Sequence, residues 1–174
     1  MSSFADRMIG AARLDGAIYE EVEADTTATT QAMAVVVMAS VAAGVGALWL
    51  GGITGLVRGA VVALLGWLLW AAIVYLVGTR LLPEPQTKSN VGELLRTTGF
   101  AATPGLLRVL GVIPIVGGLV SLVALVWMLA AMVIAVKHAL DYTRIERAIG
   151  VCLIGWIAYL IVSALFGGLA WLPA

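Results

Sequence analysis

The sequence predicts an all-α integral membrane bundle, with five transmembrane helices preceded by a cytoplasmic amphipathic helix. Three observations carry that expectation. First, 62% of the 174 residues are hydrophobic and only 11% are charged, with a mean hydropathy of +1.07. A soluble domain carries roughly 25% charge, so this chain cannot cover a water-facing surface. Second, residues 32–82 and 94–137 form apolar runs of 51 and 44 residues. A crossing needs roughly 20 residues, so each run holds two. Third, lysine and arginine segregate to one side of the alternating spans.

The elements follow in order. Residues 3–25 read as an amphipathic helix. Ser3 can cap it, with Asp6 three residues on. Phe4, Met8, Ala11, Ile18, Tyr19 and Val22 fall near one stripe. This segment holds Arg7 and Arg13 against six acids, a net of −4, so the remainder sums to +4. Helices that seek a membrane surface are usually basic. The acidic end, Glu20, Glu21 and Asp25, therefore suits docking onto the protein's own basic loops; a loosely attached solvated helix is the alternative. No cleavable signal sequence is expected, because this stretch lacks an apolar core. Residues 1–30 are thus the cytoplasmic helix and linker, and 31–174 the membrane domain.

The spans are expected at about 32–57, 59–82, 94–111, 114–137 and 148–171. A turn near 55–58 divides the first run, and Pro83 and Pro85 end the second span. Asn90 with Glu93 signals a new helix start, and Thr143 with Glu146 another. The sequence 111–114, ending in Pro114, is the expected turn between spans three and four. A cytoplasmic N-terminus collects eight basic residues on that side, against Arg58 and Arg108 outside. The C-terminus then lies outside. A four-span layout, with 96–116 as a re-entrant hairpin, is the alternative.

The third span carries the polar residues. Arg96 and Arg108 are twelve residues apart, about 18 Å along a helix and short of the roughly 30 Å apolar slab. An arginine near mid-membrane costs about 2.5–3.5 kcal/mol. The pair either snorkels to opposite interfaces or lines a polar groove that takes lipid headgroups or a partner. Thr97, Thr98 and Thr103 can bond helix carbonyls, including those freed by Pro104. Asp141 and Arg144 are spaced for a local ion pair. Arg96, Arg144 and Arg147 are candidates to receive the acidic N-terminal segment. Ala39, Ala43, Ala47, Gly51, Gly55 and Gly59 recur every fourth residue, a small-residue face for helix packing.

Catalysis is not expected. His138 is the only histidine and Cys152 the only cysteine, so nucleophilic triads and multi-residue metal sites lack parts. No cofactor motif or nucleic-acid signature occurs.

The layout resembles the Yip family, the Ypt/Rab-interacting five-span membrane proteins, in its bacterial branch. The resemblance covers about residues 1–172. It rests on a polar N-terminal segment, five spans, and a Gly-Tyr-xxx-Pro motif read here as Gly99-Phe100-Ala101-Ala102-Thr103-Pro104. Phenylalanine replaces the tyrosine, and the Asp-Leu-Tyr-Gly-Pro motif of eukaryotic members is absent. The resemblance implies a non-enzymatic protein, and the Ala/Gly-rich chain without a signal sequence is expected in a bacterial inner membrane. It would act as a membrane-organising or partner-binding scaffold, with membrane lipids, another membrane protein or a second copy as partners. The alternative is a small channel or transporter with a polar path along span three. The residues concerned are Glu93, Arg96, Thr97, Gly99, Phe100, Thr103, Pro104, Arg108, Asp141, Arg144 and Arg147.

Overall fold

The structure, a computed structural model, describes residues 2–46, 48–113 and 116–169, with the side chains of 47–56 and 166–169 left aside. The described residues form helices joined by short turns. In order they are α1 (Phe4–Ala12), α2 (Gly16–Ala24), α3 (Ala28–Gly46), α4 (Leu48–Leu76), a π-helical turn (Val77–Leu81), α5 (Val91–Phe100), a 3-10 helix (Thr103–Val112), α6 (Gly117–Ala139) and α7 (Ile145–Leu169).

The N-terminal segment is two helices where the sequence predicts one. The capping box at Ser3 and Asp6 forms as expected, each donating a backbone N–H to the other's side chain. The helix then stops at Leu14, whose φ of 62° is left-handed. The Asp15 N–H closes a six-residue loop onto the Gly10 carbonyl at 3.0 Å, the usual helix-ending bond. Asp15 at once caps α2 by accepting from Ala17 N–H at 3.0 Å. An apolar stripe alone does not reveal this stop.

Among the described residues, four helical stretches are long and apolar enough to cross a membrane: Ala28–Gly46, Val57–Leu81, Gly117–Ala139 and Ile145–Leu165. Their outer faces form an apolar belt. Leu65, Leu119, Leu153 and Leu160 are each more than half exposed. A water-soluble surface does not carry such a belt, and the chain has membrane-protein character. The turn expected near 55–58 falls within α4, and the described residues of α3 and α4 meet on either side of residue 47. The small-residue series is therefore divided between α3 and α4. Ala47 and the surroundings of Gly51 and Gly55 lie outside the described residues.

The expected third span, 94–111, is not one helix. α5 ends at Phe100, and the chain continues as a ten-residue 3-10 helix with Pro104 in its first turn. Proline suits that position because its missing N–H has no partner there anyway. Such a long 3-10 helix is uncommon, so tertiary packing must hold it. A Cβ on Gly105 would lie 2.9 Å from Met128 Sδ and 3.3 Å from Ala39 Cβ. A Cβ on Gly46 would overlap the Arg108 carbonyl, and Gly111 Cα would lie 3.3 Å away. The pairings Ala32–Gly99, Ala39–Gly105 and Gly46–Arg108 show that the α5 and 3-10 tract runs beside α3 in the same direction. Met128–Gly105 and Gly117–Gly111 make it antiparallel to α6. α4 and α7 are also antiparallel, with Leu82 near Gly150, Trp70 and Val74 near Gly155, and Tyr159 near Gly66.

Two buried clusters follow. One joins α1 and α2 to α3 and α5 through Tyr19, Val22, Val35 and Phe100. The other joins α4 to α6 and α7 through Trp70, Val74, Val136 and Val151.

Candidate functional site at the polar end of the bundle

The starts of α3, α5 and α7 and the ends of α4 and α6 come together at one end. The α1–α2 hairpin closes over that end and reaches down its side, and three polar groups tie it there.

The first tie is Arg7. It lies on the apolar side of α1, between Phe4 and Ala11, and is 2% exposed. Its Nε and Nη2 donate to Glu21 Oε1 at 3.1 and 2.9 Å, Nη2 to Asp25 Oδ2 at 2.8 Å, and Nη1 to Gln31 Oε1 at 3.0 Å. One guanidinium thus joins α1, α2 and α3. Glu21 also accepts from the Ser2 hydroxyl and backbone N–H. Those bonds, then Arg7, hold its carboxyl down at about 2. Asp25 is held to about 2 by the Thr27 hydroxyl and by Arg7.

The second tie is Arg96. It is 6% exposed, and its Nε donates to the carbonyls of Val22 and Glu23 at 3.0 Å each. Its Nη2 also meets the Glu23 carbonyl. The guanidinium therefore caps the C-terminal end of α2, where unpaired carbonyls favour a cation. Burial and repulsion from Glu20, Glu93 and Asp141, offset by Arg96, raise the Glu23 carboxyl to about 8. Its Oε2 is buried without a hydrogen-bond partner among the described residues.

The third tie is His138, whose Nδ1 meets Glu20 Oε1. Its ring stacks on Tyr19, with centroids 6.3 Å apart, and the buried Tyr19 hydroxyl donates to the Ala11 carbonyl at 3.1 Å. Further along α6, Trp127 Nε1 donates to the Ala12 carbonyl at 2.7 Å.

A second polar knot closes the loop between α4 and α5. Glu84 Oε2 accepts from the Thr143 N–H at 3.0 Å and hydroxyl at 2.8 Å. Those bonds lower its pKa despite burial. Arg147 Nε lies 3.4 Å from Glu84 Oε1, and its Nη1 donates to the Pro83 carbonyl at 2.7 Å. The Tyr142 hydroxyl sits between the carbonyls of Gly78 and Leu82, 2.9 and 2.8 Å away, and so pins the π-helical turn. Thr143 is thus engaged by Glu84 at the start of α7, where the sequence suggested a pairing with Glu146.

The remaining predicted residues divide clearly. Glu93 forms the predicted capping box with Asn90. Thr97 donates to the Glu93 carbonyl at 3.0 Å, Thr98 to Leu94, and Thr103 to the Phe100 carbonyl at 2.7 Å. All three are buried. Gly99 is where α3 and α5 touch, because a Cβ there would stand 2.7 Å from Ala32 Cβ. Phe100 is fully buried and meets the Phe4 ring edge-on, centroids 6.2 Å apart. No hydroxyl is needed in that apolar contact. Asp141 does not form the local pair expected with Arg144. Its φ is 54°, its carboxylate accepts from the Lys88 N–H at 3.4 Å, and its carbonyl accepts from Gln86 at 3.0 Å. Arg144 is exposed and has no ion pair among the described residues. Arg108 lies away from all of these, at the opposite end beside Gly46.

The N-terminal segment therefore docks on His138 through Glu20 and on Arg96 through its backbone carbonyls, while Glu21 and Asp25 pair with Arg7 of the same segment; Arg144 and Arg147 do not receive it. Arg7 was missed, although a charged residue inside the apolar stripe of α1 was a visible signal. Glu84 and Tyr142 gave no comparable signal, since the bonds that join them across the fold span 59 or more residues. Among the described residues no group of His, Cys, Asp and Glu is arranged to hold a metal ion.

Neither the curated proteins nor the solved structures contain a match to this chain. A family model described as the Yip1 domain matches residues 13–167, from the turn after α1 to near the end of α7. The match takes in Arg96, the Gly99–Pro104 motif and the Glu84–Arg147 knot, and the chain belongs to the Yip1 domain family.

Proposed function

We propose that this is a non-enzymatic, multi-pass scaffold of the bacterial inner membrane, which binds partners or organises membrane through its capped cytoplasmic end. The observation that carries this reading is the internal use of the polar groups in the third apolar segment. Arg96 is spent on the carbonyls of α2, and the three threonines are spent on their own helix. Arg108 sits at the other end, with buried Phe100, Ala101 and Ala102 between. A polar path along this segment would need those groups to face a common cavity. Arg96 and the three threonines do not share the cavity that Arg108 lines, which favours the scaffold over a channel or transporter.

Five crossings are part of the proposal. The ten α-helical and ten 3-10 residues rise about 15 and 20 Å, together comparable with a roughly 30 Å core. The tract also accompanies α3 from Ala32 to Gly46. An N-terminus in the cytoplasm and a C-terminus outside satisfy the basic-residue bias. The surface offered to a partner carries Arg144, Lys88, Asp141 and the exposed Glu20.

Cysteines at Thr97, Thr98 and Thr103 in a Cys152→Ala background test whether water reaches this segment. A membrane-impermeant maleimide should leave all three unlabelled in intact proteoliposomes. Labelling of positions 98 and 103 from the water would support a transport path and overturn the scaffold reading. Reporter fusions at residue 174 test the odd number of crossings: activity of a periplasm-specific reporter is expected, and activity of a cytoplasm-specific one would refute it.

A further inference from the structure

The end of the bundle remote from the cap holds a cavity of about 440 Å³ between α3, α4, the 3-10 helix and α7. This lies within the roughly 300–1,000 Å³ range of small-molecule sites. Its walls are apolar and made roomy by small residues: Ala39, Ala43, Gly44, Gly59 and Gly105. A Cβ on Gly59 would meet nothing within 4 Å, so the space on that side is open. Arg108 is the one charged residue of the lining, and Ser40 and Tyr159 add hydroxyls.

Depth and charge identify an occupant. α3 starts at the capped end, and Gly46 stands about 27 Å along it. Arg108 packs beside Gly46, which is the level of the headgroups in the leaflet remote from the cap. Every Asp and Glu of the chain falls within residues 6–25, 84–93 or 141–146, all in the segments of the capped end. Arg108, and Arg58 one residue before the lining Gly59, therefore have no Asp or Glu side chain at their own end. A second copy in the same orientation would supply none either. The anion available at that depth, joined to an apolar chain that can fill the cavity, is a phospholipid phosphate.

We infer that this cavity binds an anionic glycerophospholipid from the leaflet remote from the cap, with its phosphate on Arg108 and an acyl chain between α3 and α4. The guanidinium suits the phosphate because it presents parallel N–H donors. The inference rests on the membrane reading of the fold but not on the scaffold role, so either can fail alone.

The test is native mass spectrometry of the detergent-solubilised full chain titrated with dioleoyl phosphatidylglycerol or dioleoyl phosphatidylcholine. The first phosphatidylglycerol should bind at least tenfold more tightly than phosphatidylcholine. Arg108→Gln should remove that preference and Arg108→Lys should keep most of it. Gly59→Leu fills open space, so it should weaken both lipids at least tenfold with Tm unchanged or raised. Glycerol phosphate, which lacks the chains, should not compete. Equal binding of the two lipids, an unaltered first site in both Arg108→Gln and Gly59→Leu, or displacement by glycerol phosphate at the lipid's own concentration would each overturn the assignment. A loss seen only with Lys137→Gln and Arg144→Gln would also overturn it, by moving the site to the cap.

Discussion

Gly99→Ala tests the contact on which the N-terminal half of the bundle is built. Away from its neighbours the change would favour the helix by up to about 1 kcal/mol, since glycine is a poor helix former. In place, the new methyl would lie 2.7 Å from Ala32 Cβ, 3.1 Å from the Ala32 carbonyl and 3.1 Å from Trp67 Cζ2. The Trp67 ring cannot swing away freely, because its Nε1 donates to the Leu95 carbonyl at 3.2 Å. Overpacking of this kind costs about 1–3 kcal/mol. The net expectation is a loss of about 0–2 kcal/mol, or a few degrees in Tm for a chain of this size. Ala32→Gly removes the closest clashing atom and alone costs about 1 kcal/mol of helix propensity. The double variant should therefore be more stable than the two single losses add to, by about 1–2 kcal/mol. Thermal melts of all four proteins in one detergent measure this coupling. If Gly99→Ala alone raises Tm, or the two changes simply add, α3 and α5 do not touch at this point.

Three further outcomes are expected. Glu21 and Asp25 are held to about 2, so the stability they add is present above about pH 4.5 and is lost as pH falls toward 2. Glu23 runs the other way: raised to about 8, its contribution is complete below its unfolded value near 4.5 and is lost as pH rises through 8. Tm should therefore decline between about pH 5 and 8, and Glu23→Gln should flatten that limb while leaving the acidic one; an unchanged alkaline limb would count against the burial of Glu23. Tyr142→Phe deprives the Gly78 and Leu82 carbonyls of their shared donor and should cost about 1–2 kcal/mol, with faster hydrogen exchange confined to the segment around 77–82. Exchanging the charges of Arg7 and Glu21 should release the hairpin to proteolysis near Leu14, because the swapped pair would lose the Asp25, Gln31 and Ser2 bonds; a protease-resistant swap would show that the network is not what holds α1.

Local signals in the sequence were sufficient for the capping boxes at Ser3 and Asn90, for the membrane character and for the Gly99–Pro104 motif. Each depends on residues within a turn or two, or on composition over a whole span. What could not be read depends on distant partners. The close approach of Gly46 to Arg108 and Gly111 joins residues far apart in the chain, so no local pattern marks it. The 3-10 helix likewise reflects confinement between α3 and α6, for which ten residues of local pattern give no cue. The pairing of acidic and basic residues was anticipated as a type of contact, but its members were not. Spacing alone favoured Asp141 with Arg144, whereas the fold gives Asp141 to Gln86 and Lys88 of the loop before α5 and leaves the third segment's arginine to backbone carbonyls instead of carboxylates.

The long reach of the hairpin's ties also orders events in time. The Glu23–Arg96 contact joins residues 73 apart in sequence, and the Ala12–Trp127 and Glu20–His138 contacts join residues 115 and 118 apart. At synthesis rates of about 5–20 residues per second, α1 and α2 wait at least about 4–15 s for Arg96 and longer for α6. Through that interval the Glu21 and Asp25 carboxylates have Arg7 of their own hairpin as counter-ion. The hairpin's closing is thus a late step, which reports that α6 has been inserted and packed.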